Sequence, residues 1–185
     1  MKRSLPLVLV LAVVLLGIAP LAAQAAVPPS AFTLKVGAYF PQEDLDDADF
    51  DTGLNAEVSF TSYFHPNLAA ELGVGYFESE NDFNFEVTAI PVTLNLKGII
   101  PIGGVELYAL GGIGAYYVTF EFPGFDENDT VLGFQAGAGV NFNITPAMFV
   151  GAEAKYLWAK PDFGFPVGEV KIDGFQATAN LGFRF

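Results

Sequence analysis

From Ala31 onward, the chain alternates apolar residues with small or polar ones in eight successive segments. A period of two residues is typical of β-strands whose two faces differ chemically, and none of the segments has the period of an amphipathic helix. The sequence therefore predicts an all-β domain. The predicted strands cover about 31–40, 53–64, 68–78, 86–98, 105–121, 131–143, 148–160 and 171–185.

The connectors between these segments alternate between short and long. In an antiparallel meander with an even number of strands, this places every short turn and both chain ends at one rim, and every long loop at the other. Transmembrane barrels have this arrangement, with periplasmic turns and larger extracellular loops. We therefore expect an eight-stranded antiparallel up-and-down transmembrane β-barrel with extracellular loops and periplasmic mature termini. Short connectors fall at 65–67, 99–104 and 144–147, and long ones at 41–52, 79–85, 122–130 and 161–170.

The polar faces of the strands indicate which side meets lipid. A water-facing surface would be about a quarter to a third charged, whereas these faces carry mainly Gly, Asn, Thr, Gln and Ala, with four acids and four bases among them. Buried charges need partners to offset lost hydration, so we expect this balanced set to form an ion-pair network in a narrow lumen. Its members are Lys35, Glu57, Glu71, Lys97, Glu106, Glu153, Lys155 and Arg184.

Aromatic residues on the apolar faces collect toward the strand ends. Two aromatic girdles that flank an aliphatic band are the exterior expected of a membrane barrel. A soluble core would not require this segregation. The two groups are Phe32, Phe64, Phe142, Phe183 and Phe185 toward the short turns, and Phe40, Tyr76, Tyr117, Phe134, Trp158 and Phe175 toward the long loops.

The N-terminus has the features of a secretory signal peptide. Lys2 and Arg3 precede an apolar run over 5–19, which is shorter than the roughly 20 residues of a membrane-spanning helix. We expect cleavage after Ala25, with Ala23 and Ala25 as the small recognition residues. This divides the chain into a signal peptide over 1–25 and a barrel domain over 26–185.

The chain is strongly acidic, with 21 acids, 8 Lys and Arg residues and a formal net charge of −13. Nucleic-acid binding is disfavoured because no basic patch is available to neutralise phosphates. The acids crowd the long connectors, where they favour diffuse association with divalent cations that bridge to lipid and lipopolysaccharide. A dedicated metal site is not expected, because the EF-hand spacing is missing. The first connector holds the cation candidates Glu43, Asp44, Asp46, Asp47, Asp49 and Asp51.

Four stretches resemble the small outer-membrane β-barrel family of OmpA-, OmpX- and OmpW-like proteins. They are Ile90 to Lys97, Tyr108 to Tyr116, Gly133 to Val140 and the closing Leu181 to Phe185. The resemblance implies the barrel fold, export and membrane insertion. In that family the barrel assembly machinery recognises a terminal phenylalanine with apolar residues at alternate positions before it, and the matching residues here are Leu181, Phe183 and Phe185.

The resemblance does not imply one activity, because a fold does not fix a function. The hypothesis favoured by the sequence is a non-enzymatic outer-membrane barrel with a structural or surface-interaction role. The alternative is a small-solute or ion channel of the OmpW-like kind with a side opening, and a soluble periplasmic lipocalin-like carrier is third. No catalytic site or cofactor is expected, because the single histidine, His65, lies in a short turn away from the long loops.

Overall fold

The computed structural model describes residues 30–47, 50–81, 86–122, 125–162 and 169–185. The predicted signal peptide, with Ala23 and Ala25, lies outside these residues. Within them, no helix has the length and apolar character needed to cross a membrane.

Eight strands form a closed barrel in which each strand is antiparallel to its neighbours in sequence and β8 pairs with β1. This confirms the predicted fold class. One short helix, α1 (Asp44–Asp47), follows the first strand. The strands are β1 (Ser30–Pro41), β2 (Gly53–His65), β3 (Leu68–Glu80), β4 (Glu86–Ile102), β5 (Val105–Phe122), β6 (Phe125–Asn143), β7 (Met148–Trp158) and β8 (Gly174–Arg184).

The strand faces alternate between the exterior and the interior as the sequence predicts. On β1, Leu34 is 50% exposed while its neighbour Lys35 is 1% exposed. The same alternation of exposed and buried positions runs along β8. Apolar side chains therefore cover the outside of the wall, and the face with the predicted charges lines the lumen.

The third long connector was predicted over 122–130, and this prediction was wrong. β5 and β6 remain paired as far as Phe122 and Phe125, so only two residues separate the strands. These two, Pro123 and Gly124, lie outside the described residues. Continued pairing satisfies the backbone hydrogen-bonding groups that a loop would leave to water. At the opposite rim, Gly103 has a φ of 61° in the turn between β4 and β5, a conformation that favours glycine.

The interior is not polar along its whole height, a feature that the predicted inner face of small, polar and charged residues did not include. Its half toward the long loops is filled by a cluster of buried, mainly apolar side chains, which we name the apolar plug. Most of its members occupy inward positions on the strands, while Leu45 comes from α1 and three others, Phe50, Ala159 and Ile172, from connecting segments. The plug comprises Tyr39, Leu45, Phe50, Phe77, Val87, Ala89, Tyr116, Val118, Phe120, Leu157, Ala159 and Ile172.

Candidate functional site: the lumen and its two mouths

The centre of the lumen holds a cluster of three lysines and three glutamates, with Lys35 at its middle. Lys35 Nζ lies 2.8 Å from Glu57 Oε1 and 3.1 Å from Glu71 Oε1. The same nitrogen lies 2.9 Å from Glu153 Oε1. Lys35 and Glu57 are directly opposite each other in the β1–β2 register, whereas β3 and β7 bring the other two carboxylates across the barrel.

Two further lysines complete this charge cluster. Lys97 Nζ lies 2.5 Å from Glu71 Oε2 and 3.8 Å from Glu153 Oε2, and Lys155 Nζ pairs with Glu57 Oε2. Three positive charges thus face three negative ones within a buried volume. This balance offsets the large cost of removing ions from water.

Neutral side chains that were not among the predicted site residues supply additional hydrogen bonds to the cluster. Tyr108 OH donates to Glu153 Oε2 at 2.9 Å. Ser59 and Thr61 donate to Glu71 Oε2 at 3.1 and 3.2 Å. Their positions in the sequence could have identified them. Each lies an even number of residues from a predicted lumen charge on its own strand, or faces such a charge across the lumen, so its side chain also points into the lumen.

Arg184 and Glu106, predicted as part of one network, form a separate pair at the short-turn mouth. Arg184 Nη2 lies 2.7 Å from Glu106 Oε2, and Nη1 donates to Asn143 Oδ1 at 2.6 Å. The guanidinium carbon lies 4.5 Å from the ring centre of Phe149 and 6.0 Å from that of Tyr63. The eight predicted charges therefore divide into a central cluster of six and a pair at the mouth.

Loop residues among those described pack over the apolar plug at the long-loop mouth. Tyr39 OH donates to the Ile172 carbonyl at 2.9 Å, and the Gln42 amide donates to the Asp173 carbonyl at 2.9 Å. Lys171 joins this cap to the first loop: its amide donates to Asp44 Oδ2 at 2.9 Å. Its ammonium lies 3.3 Å from Glu43 Oε2.

Two groups of the cap have shifted pKa values. A hydrogen bond to Glu43 raises the pKa of Lys171, because the carboxylate stabilises the charged ammonium. Burial raises the pKa of Asp173 by disfavouring its ionised form.

The cation candidates of the first loop are dispersed. Glu43 and Asp44 contact Lys171, and Asp46 and Asp51 are exposed. The side chain of Asp47 and the whole of Asp49 lie outside the described residues. Among the residues that the structure describes, no group of three or more His, Cys, Asp or Glu side chains is arranged to hold a metal ion.

The predicted assembly residues lie on the outer surface near the short-turn rim. Leu181, Phe183 and Phe185 are all exposed. The Phe185 amide donates to the Ser30 carbonyl at 2.9 Å, which continues the β8–β1 pairing to the last residue. The Phe185 ring stacks on Phe32, with ring centres 5.5 Å apart.

A closed barrel with an apolar exterior, a charge-matched centre and aromatic rims defines the class of integral outer-membrane β-barrels. The chain matches the family model described as "Outer membrane protein beta-barrel domain" over residues 10–185. It therefore belongs to this outer-membrane β-barrel family, and membership implies location in the outer membrane.

Solved structures similar to the chain share its fold. The N-terminal barrel domain of Pseudomonas aeruginosa OprF has 16% identity and a TM-score of 0.56, covering 85% of this chain and 97% of that one. Pseudomonas aeruginosa OprG has 17% identity and a TM-score of 0.57, covering 85% and 96%. Yersinia pestis Ail, the attachment invasion locus protein, has 19% identity and a TM-score of 0.56, covering 85% and 98%. No curated protein sequence matches the chain.

Proposed function

We propose that this protein is a non-enzymatic outer-membrane barrel with a structural or surface-interaction role, whose acidic loops face the outside and whose mature termini face the periplasm. The observation that carries the proposal is the filled lumen. The charge cluster and the apolar plug occupy successive levels of the interior, so the wall encloses packed side chains in place of an open path. A barrel of eight strands has an interior just wide enough for such filling.

The β5–β6 hairpin supports a surface-interaction role. β6 pairs with β5 from Phe125 onward, but its pairing with β7 begins only at Phe134. Within the described ladders, residues 125–133 thus pair on one side only. A strand edge of this kind presents backbone donors and acceptors to an extended partner segment.

Lipid and the barrel assembly machinery are the partners we propose for the rest of the surface. The lysines of the long-loop rim are Lys160 and Lys171, which pair with Glu169 and Glu43. Because both lysines are paired with carboxylates and the rim is strongly acidic, contact with lipopolysaccharide phosphates requires divalent cations as bridges. The assembly machinery would recognise the apolar C-terminal strand described above.

Labelling of intact cells tests the orientation. The protein contains no cysteine, so single variants carry the only thiol. We expect a membrane-impermeant maleimide to modify Asp46→Cys, in the first long loop, on intact cells. The matched control Thr145→Cys, in an exposed short turn, should react only after the outer membrane is permeabilised. The reverse pattern would contradict the proposed orientation.

A small-solute or ion channel is the second candidate, and one feature of the wall favours it. The β3–β4 ladder contains the pairs Val74–Val92 and Phe77–Ala89 but not the two pairs between them. Pro91 lies in this gap and has no N–H to donate. A Cβ on Gly75 would lie 3.1 Å from Pro91 Cγ, so the proline ring covers the glycine. Any side opening would therefore form here.

Planar-bilayer recordings separate the two candidates. For a closed barrel we expect at most small, low-conductance openings from the purified monomer. Large, stable channels that disappear in Pro91→Val would favour the channel instead. Folding of both proteins is checked by the shift in gel mobility between unheated and boiled samples, since a closed barrel stays folded in cold detergent.

A further inference from the structure

The two halves of the lumen differ in how they meet water. The half toward the short turns has a lining of polar and apolar side chains and borders a recess at its mouth. The half toward the long loops is filled by the apolar plug. The charge cluster lies between them.

The half toward the short turns contains a built polar site. A cavity of about 10 Å³, which is about the space one water molecule requires, is lined by Lys97, Tyr63 and Asn141 among others. Asn141 is 6% exposed, and its Oδ1 has no hydrogen-bond partner within the described residues. A buried acceptor without a protein partner favours a bound water or other small donor.

This cavity borders a larger recess at the short-turn mouth. The recess has a volume of about 430 Å³, and Tyr63, Ile99 and Glu106 line both spaces. The Arg184–Glu106 pair stands at the boundary and is partly exposed. The cavity is therefore adjacent to a recess that is open to water.

The half toward the long loops is packed mainly with apolar side chains, among which Asn55, Ser79 and Gln176 are buried polar residues. Phe77, Val118 and Leu157 are fully buried there, and the rings of Tyr39 and Phe77 are 4.4 Å apart at their centres. An ion that enters this layer loses its hydration shell among mainly apolar side chains, and apolar constrictions of this kind block conduction by excluding water.

We propose that the lumen is a half-channel: water and small ions enter from the short-turn mouth as far as the charge cluster, and the apolar plug, not the cluster, is the barrier to ions. The small cavity on the short-turn side of the charge cluster binds water or a single small ion. This inference rests on the proposed function, in which the lumen is closed, and adds the position of the barrier.

Thiol accessibility tests the location of the barrier in an otherwise native barrel. Asn141→Cys places a thiol on the short-turn side of the charge cluster. Its matched control, Ala89→Cys, places one at an inward position within the apolar plug. We expect a small methanethiosulfonate reagent to modify Asn141→Cys at least about tenfold faster than Ala89→Cys in detergent-solubilised folded protein. Equal rates, or a faster reaction at position 89, would overturn the proposal.

Conductance of variants gives a second, independent test. We expect Phe77→Ser with Val118→Ser to raise the single-channel conductance at least about tenfold over the parent, because polar side chains hydrate the plug. Lys97→Gln, in the charge cluster, should raise conductance less than the plug variant does. No increase with the plug variant, or a larger increase with Lys97→Gln, would overturn the proposal. Large channels in the parent protein would instead reject the closed lumen of the proposed function, so the two failures are distinguishable.

Discussion

Replacing Lys35 by methionine is expected to destabilise the folded barrel by about 3–5 kcal/mol, the usual cost of removing one partner from a buried ion cluster. Lys35 is 1% exposed and contacts Glu57, Glu71 and Glu153 within 3.1 Å. The substitution leaves three carboxylates around an apolar side chain, with two lysines to balance them. Urea unfolding in detergent micelles measures the effect.

An exposed ion pair provides the matched control for this variant. Lys160 lies 2.6 Å from Glu169, but both side chains are about half exposed. Lys160→Met should therefore change stability by less than about 1 kcal/mol. Adding Glu153→Gln to Lys35→Met should restore part of the lost stability, because it removes one uncompensated charge. A Lys35→Met variant as stable as Lys160→Met would contradict the buried cluster.

Gly37→Ala is expected to prevent stable closure of the barrel between β1 and β8. A Cβ at Gly37 would lie 1.9 Å from the Ala177 carbonyl oxygen and 2.7 Å from Thr178 Cα, both backbone atoms of β8. Backbone cannot move aside as a flexible side chain can, so the strands must separate. We expect a loss of about 3 kcal/mol, at the upper end of ordinary overpacking, measured by urea unfolding.

Gly111→Ala is the control for this prediction. Gly111 lies on the outer face of β5, and no heavy atom lies within 4 Å of a Cβ built there. The same change of one methyl group should leave stability and the heat-dependent gel shift unchanged. If both alanine variants were equally stable and showed the same gel shift, the backbones of β1 and β8 would lie farther apart at Gly37 than the structure shows.

The period-two pattern was sufficient to predict the fold and the two faces of the wall. Each strand carries its own inward and outward residues, so Lys35 and Leu34 could be assigned to opposite faces without knowing which strands are neighbours. The even number of strands and the alternating connectors then predicted the antiparallel up-and-down order of the strands. The predicted third connector was wrong because residues 122–130 lack a clear alternation of apolar and polar residues, whereas pairing with β5 extends β6 to Phe125.

The interior was harder to predict, because contacts across a lumen depend on register and shear in addition to face. Sequence identified eight inward charges but not that Arg184 and Glu106 stand apart from the other six. The apolar plug was missed because apolar residues such as Phe77 and Val118 occupy inward positions. Leu45 and Ile172 join the plug from outside the strands, where strand periodicity gives no information.

Collision-based electron paramagnetic resonance of spin labels in reconstituted bilayers tests directly which face of the wall meets lipid. The apolar face should meet lipid, and the charge-matched face should be enclosed. Leu94 and Asn95 are adjacent on β4, and their side chains are 53% and 2% exposed. A label on Leu94→Cys should collide readily with oxygen and rarely with a water-soluble nickel chelate. A label on Asn95→Cys should collide weakly with oxygen. Strong oxygen collisions at position 95 together with strong nickel collisions at position 94 would contradict the account.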